Sequence, residues 1–352
     1  MRPLHHDRLG EHIERLAHHA HRGELQERAV HYLRQAGLKA IARSAQPDAL
    51  NWFEQAQDVL RRLPESHSTL EQSFEICIEQ RAAQINLGRV RLVVDSLREA
   101  GRLADKLNDN RRRCRVYALL ANIYTLIGEP AEALAAGTQA LALARGLELE
   151  LRLLATSFLG YVYYAQAEYD RAVALFTENI ATLPVGEHDT GGMDGFGRVE
   201  PEDRDYEFQH AGTGALISVW DRCFLTLSLA QLGRFVEAAG HAAEAIRKAE
   251  PTQRGITMGL AHFGACTLYL IKGEWGRARA LFDRWITMAR TRSVLLHLPF
   301  SLPLSAWVLA QLGEEHEALN RLRESEQVLE HSAAQGVVFQ HGWDTTRWDV
   351  SV

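Results

Sequence analysis

The chain has 352 residues, enough for about two compact domains or for one elongated array of repeats. Its 45 acidic and 39 basic residues give a formal charge of −6, so it lacks the basic surface expected of a protein that binds nucleic acid or anionic membranes. Hydrophobic residues make up 46% of the chain and charged residues 24%, values typical of an ordered protein and not of a disordered one.

Residues 1–29 are predicted to form an N-terminal helix. Charged residues interrupt this stretch throughout, so no secretory signal is recognisable and a cytoplasmic protein is expected. Histidines crowd the region: His5, His6, His12, His18, His19, His21 and His31. A metal site would need two ligands on one helix face and a third nearby, and no cysteine or carboxylate cluster accompanies them. We therefore expect a solvated helix face or a contact surface, with no metal and no cofactor.

A pair of small or β-branched residues, five positions apart, recurs along the chain. The pairs are Gly88/Val93, Gly128/Ala133, Ala167/Ala172, Gly233/Ala238, Gly273/Ala278 and Gly313/Ala318. Their second members lie 40, 39, 66, 40 and 40 residues apart. A period near 40 predicts a repeat architecture, in which each unit buries its apolar face against its neighbours.

Each repeat is predicted to be a helical hairpin. Apolar residues at helical spacing precede the first small residue of a pair, and a second apolar stripe follows the pair. A glycine at the junction can adopt the left-handed conformation that ends the first helix. A glutamate directly after it, such as Glu129 or Glu274, favours the start of the second helix.

The repeats extend over residues 30–331 as seven units. In the seventh unit, Pro299 and Pro303 predict a late or kinked start of the first helix. The repeated hairpins predict an all-α fold built of antiparallel helix pairs.

The 66-residue spacing is explained by an insertion at residues 185–212. This segment contains Gly191, Gly192, Gly195 and Gly197, and it has eight carboxylates against only Arg198 and Arg204. Asp189 and Asp194 could suggest a calcium site, but their spacing does not follow the EF-hand pattern. The composition predicts a mobile acidic loop.

The hairpin pattern resembles the tetratricopeptide repeat. Leu159-Gly160 and Tyr163 on the first helix, with Ala172 and Phe176 on the second, match its pattern closely. An earlier unit matches it through Ala36-Gly37, Ala40, Ala49, Phe53 and Ala56. The resemblance implies a right-handed superhelical solenoid of antiparallel helix pairs, in which the first helices line a concave groove.

A second resemblance involves the phrases Glu14–Ala20, Arg22–Leu25 and Tyr32–Gly37, with Leu227–Ala243 further along. They are similar to the C-terminal repeat tail of bacterial class III adenylate/guanylate cyclase–ATPase signalling proteins. This resemblance implies that residues 1–29 are the remnant of an ATPase-to-repeat junction, and that an ATPase or nucleotide cyclase effector is a partner. The sequence has no Gly-x-x-x-x-Gly-Lys-Ser/Thr phosphate loop and no room for a cyclase domain, so none of that family's catalytic residues is carried over.

The residues expected to face the groove form a strongly aromatic row. They are Asn122, Thr125, Tyr161, Tyr164, Trp220, Phe263, Thr267, Phe300 and Trp307. Aromatic side chains in a concave groove are typical binding hot spots for a peptide or a helix. Alternatively, close packing of the repeats or the acidic insertion covers these rings.

Ser293–Gly313 has no formal charge over the length of a membrane span, but its prolines, serines and histidine favour buried helices. Cys77, Cys114, Cys223 and Cys266 form no Cys-x-x-Cys pair and are interpreted as reduced, buried side chains.

Residues 332–352 form an aromatic tail, in which Phe339, Trp343 and Trp348 are expected to fold back on the last repeat or to join a partner.

The sequence thus predicts a non-enzymatic interaction scaffold or sensory domain that binds a protein segment. The alternative is a separated C-terminal portion of a cyclase–ATPase enzyme whose catalytic domains lie outside this chain. A small-ligand sensor that uses the aromatic groove is a third interpretation.

Overall fold

The computed structural model describes residues 26–43, 45–87, 89–183, 216–252, 255–291 and 298–334. Within these ranges the regular structure is helical, with fourteen α-helices and a short 3₁₀ segment, Glu250–Thr252. The helices are α1 (Gln26–Ala42), α2 (Gln46–Arg62), α3 (His67–Asn86), α4 (Val90–Lys106), α5 (Asn110–Leu126), α6 (Pro130–Ala144), α7 (Leu149–Ala165), α8 (Tyr169–Thr182), α9 (Ile217–Gln231), α10 (Phe235–Ala249), α11 (Gly255–Ile271), α12 (Trp275–Thr291), α13 (Leu298–Gln311) and α14 (Glu315–Ala334). The all-α class is confirmed, and the helices follow the order of seven predicted hairpins, the first formed by α1 and α2 and the seventh by α13 and α14.

The described residues belong to two compact units. The first extends to Val116, and the second extends from Tyr117 to Ser332, so the division falls within α5. In the first unit, α1 packs on α2, α2 on α3 and α3 on α4. Its buried core includes Leu33, Phe53 and Ile76.

In the second unit, each helix from α6 to α12 packs on the next, and α9 also contacts α7 and α11. The largest fully buried side chains of this unit include Phe158, Phe176, Phe282 and Trp285. These large apolar side chains exclude water between the packed hairpins.

The predicted hairpin turns are confirmed at the glycines that the structure describes. Gly128, Gly233, Gly273 and Gly313 have φ angles between +73° and +77°. The next N–H donates to a carbonyl five residues earlier, as from Glu129 to Tyr124 at 2.9 Å. This arrangement closes the first helix with the bond pattern of a Schellman motif.

The fourth hairpin shows why the tetratricopeptide pattern needs a glycine on its first helix. A Cβ atom added at Gly160 would lie 2.7 Å from Cε1 of the Phe176 ring. The first hairpin repeats the arrangement, since a Cβ at Gly37 would lie 2.7 Å from Cε1 of Phe53. In both hairpins the missing side chain lets the aromatic ring of the second helix approach the first helix.

The seventh hairpin is present despite its prolines. Helix α13 has 14 residues, fewer than the 17 of α5, α7 and α11, and it contains Pro303 in its interior. The predicted late start therefore appears as a shorter first helix. No helix of the described residues is long and apolar enough to cross a bilayer.

Three predictions lie outside the described residues. They concern the histidine-rich helix over most of residues 1–29, the insertion at 185–212 and the aromatic tail beyond residue 334.

Candidate binding face

The nine residues of the predicted row all lie in the second unit, on the first helices of hairpins three to seven. Asn122 and Thr125 lie on α5, Tyr161 and Tyr164 on α7, Trp220 on α9, Phe263 and Thr267 on α11, and Phe300 and Trp307 on α13. The side chain of Phe300 is outside the described part of the chain.

Three residues of the row form an aromatic cluster with a fourth residue that lies outside it. The cluster is defined here as Tyr161, Tyr164 and Trp220 of the row, together with Phe224. The Tyr161 ring centroid lies 4.6 Å from that of Phe224 and 5.5 Å from that of Trp220. Tyr164 lies 5.4 Å from Phe224, and Trp220 lies 4.9 Å from Phe224. These distances are those of favourable aromatic pairs, so the cluster joins hairpin four to hairpin five.

Burial separates the row into two groups. Asn122, Thr267, Tyr164 and Trp220 are buried, with 2%, 5%, 8% and 9% of their surfaces exposed. Tyr161, Thr125, Phe263 and Trp307 are partly exposed. Aromatic surface open to solvent in this row therefore comes from Tyr161, Phe263 and Trp307, while the buried members stabilise the packing of successive hairpins.

Two aromatic members of the site were missed by the sequence analysis. Phe224 follows Trp220 by four residues, so helical spacing alone could have placed it beside that ring. Trp275 begins α12, and its ring centroid lies 5.0 Å from that of Trp307 in an edge-on arrangement. Its position just after a turn gave no indication of this contact.

A buried polar group, formed by Asp221, Asn179 and Ser157, lies beside the aromatic cluster. The Asn179 side-chain amide donates to Asp221 Oδ2 at 2.8 Å, to Ser157 Oγ at 2.8 Å and to the Leu153 carbonyl at 3.0 Å. The Ser157 hydroxyl is also hydrogen-bonded to the Asp221 carboxyl. Asp221 is fully buried, and this burial raises its pKa to about 7 against the opposing effects of Ser157, Asn179 and Arg222.

A second buried titratable group lies on α11. The His262 ring stacks on Trp285 with centroids 5.1 Å apart, and its ring nitrogens have no hydrogen-bond partner among the described residues. Burial lowers the His262 pKa to about 4, so the ring is neutral at pH 7. The Trp285 indole N–H donates to Ser301 Oγ at 3.1 Å, which links α12 to α13.

In the first unit, ion pairs connect several helices. Glu71, Glu75 and Glu79 lie one turn apart on α3. Glu79 pairs with Arg34 of α1 at 2.5 Å, and Glu71 pairs with Arg112 of α5 at 2.8 Å. These partly exposed pairs contribute little stability each, but they orient the polar helices.

The four cysteines are buried, as predicted, and form no disulfide among the described residues. Burial raises the pKa of Cys77 and of Cys223 to about 12, so their thiols are protonated and unreactive at neutral pH. Among the described residues, no group of three or more His, Cys, Asp or Glu side chains is placed to hold a metal ion.

Comparison with known proteins supports the repeat assignment. Residues 155–185, which span most of hairpin four, match the tetratricopeptide repeat family. No curated protein matches the chain in sequence.

Several solved structures share the fold. The apo form of the quorum sensor NprR from B. thuringiensis is 14% identical, with a TM-score of 0.63 over 92% of this chain and 82% of that chain. The Rap conjugation gene regulator of the plasmid pLS20, in complex with the Phr* peptide, is 13% identical, with a TM-score of 0.60 over 87% and 74%. A signal transduction ATPase with a tetratricopeptide repeat sensor from Pyrococcus horikoshii is 14% identical, with a TM-score of 0.52 over 86% of this chain and 42% of that one. The fold is therefore that of helical tetratricopeptide-like repeat proteins, a class that includes regulators and binding proteins.

Proposed function

We propose that the protein is a non-enzymatic regulator that binds a peptide or protein segment on the aromatic face of its second unit. One observation supports this most strongly: the partly exposed Tyr161 packs its ring against those of Trp220 and Phe224 on the next hairpin. Rigid aromatic side chains at the centre of a contact surface provide most of the binding free energy in many interfaces.

The comparison with regulators supports the same function. One protein with this fold, the pLS20 Rap regulator, was solved with a peptide bound, and another is described as a quorum sensor. Their identities to this chain are below 25%, so these likenesses support a common fold. That this chain also binds a peptide or protein segment is our proposal.

We further propose that the ligand lies along the nine-residue row in a concave groove. Tyr161, Phe263 and Trp307 would contact apolar side chains of the ligand. Asn122, Thr125 and Thr267 would contribute polar contacts, and the buried members Tyr164 and Trp220 would support the exposed rings. Phe300 completes the row. The four free thiols fit a protein that works in the reducing cytoplasm.

A binding titration with matched variants tests this function. Peptides would be selected from a displayed random library against the full chain, and their affinities compared for Tyr161→Ala and Tyr163→Ala. Tyr163 lies on the same helix and is also partly exposed, but its ring packs on the Arg171 guanidinium at 5.4 Å, away from the cluster. We expect Tyr161→Ala to raise Kd at least about tenfold, roughly 1.4 kcal/mol, and Tyr163→Ala to leave it within about twofold.

The controls distinguish binding from folding. Each variant should retain the circular dichroism spectrum of the parent chain. Equal losses for both variants, or no loss for Tyr161→Ala, would contradict the aromatic cluster as the binding site. Failure to select any peptide would contradict peptide binding itself.

A second candidate function is supported by the likeness to the ATPase with a repeat sensor, of which this chain matches 42%. In this hypothesis the chain is a portion of a larger signalling enzyme, or it relays a signal to an ATPase or nucleotide cyclase effector. Mapping the N-terminus of the native protein and sequencing the upstream DNA tests it. An in-frame ATPase or cyclase region would support this function, and its absence would contradict it.

A further inference from the structure

The aromatic cluster and the buried polar group occupy the same two helices. On α7, Ser157 precedes Tyr161 by four residues and Tyr164 by seven, so the three side chains follow one helix face. On α9, Asp221 lies between Trp220 and Phe224. Any separation of α7 from α9 at Asp221 therefore also separates Tyr161 from Phe224.

In the structure this junction is closed. The four rings of the cluster pack against one another, and both Tyr164 and Trp220 are buried. The Asn179 amide has two hydrogens for three acceptors, and Asp221 Oδ1 has no hydrogen-bond partner among the described residues. A negative charge at this position has incomplete compensation, so the closed junction suits a neutral carboxyl.

We propose that the protonation state of Asp221 controls access to the proposed binding site: a neutral carboxyl holds hairpins four and five together, and ionisation admits water between them and exposes the rings. This inference rests on the proposed function for the identity of the site, but the movement itself can be tested without a ligand.

The charge that acts on Asp221 is that of Arg222 in its own helix, and it opposes the effect of burial by favouring the ionised carboxyl. The phenols of Tyr161 and Tyr164 on α7 have raised pKa values and are neutral, and Asn179 of α8 does not titrate.

The remaining titratable neighbours of α9 lie on α10 and α11. On α10, burial and then the Arg222 charge lower the pKa of His241, and the hydrogen bond from Arg247 is the main cause of the lowered pKa of Glu244. On α11, burial raises the pKa of the Cys266 thiol and lowers that of His262.

The sign of the pH effect follows from linkage. Burial raises the Asp221 pKa from its model-compound value of 3.8 to about 7, so the folded state binds this proton more tightly than the unfolded state. The contribution of Asp221 to the free energy of unfolding is fully present below about pH 4, and it is lost as the pH rises to about 7. The His262 contribution has the opposite sign, because its lowered pKa removes stability as the pH falls from about 6.5 towards about 4.

The test compares the full chain with Asp221→Asn, which keeps the size of the side chain and cannot ionise. The difference between the two proteins cancels the His262 contribution. Between pH 5 and pH 7, the unfolding equilibrium constant of the parent relative to the variant should rise by up to about tenfold per pH unit. Hydrogen exchange, corrected for intrinsic rates, should quicken in α7 and α9 of the parent between pH 6 and pH 8 and stay constant in Asp221→Asn.

Identical pH responses in the two proteins would overturn the inference. If Asp221→Asn does not fold, the ¹³C shift of the Asp221 carboxyl in the parent chain decides instead: a midpoint near 7 supports the inference and one near 4 overturns it. A peptide selected as described above should bind the parent more tightly at pH 8 than at pH 6, and should bind Asp221→Asn equally at both. If no peptide is selected, the proposed function fails while the exchange experiment still decides the movement.

Discussion

At the scale of single residues, two helical glycines of the second unit have opposite surroundings. Gly160 lies on α7, where an added Cβ would overlap the Phe176 ring at 2.7 Å. Gly240 lies on α10, where an added Cβ would meet no atom within 4 Å. The same substitution should therefore change stability in opposite directions.

We expect Gly160→Ala to destabilise the protein by about 1–3 kcal/mol, because the ring must move out of a packed interface. Gly240→Ala should stabilise it by about 0.5–1 kcal/mol, because alanine has the higher helix propensity. Urea unfolding followed by circular dichroism measures both. A loss of stability at Gly240, or none at Gly160, would contradict the packing described here.

The sequence predicted many of these single-residue contacts and missed others for a physical reason. The pairing of Gly160 with Phe176 follows from the repeat pattern, since both occupy fixed positions in a hairpin. The burial of Asn122 and Thr267 does not follow, because helical spacing gives the direction of a side chain but not the distance to the neighbouring helix. Asp221 was missed because an acidic residue in an apolar helix gives no indication of its partners, which lie on two other helices.

At the scale of the helical hairpin, the turn between the two helices requires a left-handed residue. Glycine occupies this position in four of the described turns, but hairpin four has Ala167, with a φ of +60°. An L-residue with a Cβ is strained in this conformation by roughly 1–2 kcal/mol. The folded protein is therefore expected to be less stable with alanine at position 167 than with glycine.

We expect Ala167→Gly to raise the free energy of unfolding by about 1 kcal/mol. The reverse change at an equivalent turn, Gly233→Ala, should lower it by a similar amount, since no atom lies within 4 Å of the added Cβ and the effect is confined to the backbone. Thermal unfolding of the two variants checks both signs. Destabilisation by Ala167→Gly would show that the left-handed strain is not the dominant effect at this turn.

The hairpins themselves were predictable because their signals are local. Small residues five apart, a glycine that ends one helix and a glutamate that precedes the next all lie within a few residues of each turn. Contacts between hairpins were less predictable, as the Trp275–Trp307 pair shows. These residues are 32 positions apart in sequence, and neither belongs to the apolar stripe that defines a hairpin.

At the scale of the whole molecule, the described residues form two units, and ion pairs connect helices in both. Examples are Arg34–Glu79 in the first unit and Arg290–Glu324 in the second. The second unit also contains the aromatic cluster, and its partly exposed rings are the reason for assigning the binding face to this unit. The period of 40 residues predicted the repeat array, but it did not predict which side chains pack between the hairpins of each unit.

The central claim is that a peptide or protein segment binds at the junction of hairpins four and five. Its most direct test is hydrogen exchange of the full chain, with and without a selected peptide, followed helix by helix. We expect slower hydrogen exchange on binding in α7 and α9, the helices that carry Tyr161, Trp220 and Phe224. Protection confined to the helices of the first unit, with α7 and α9 unchanged, would contradict it.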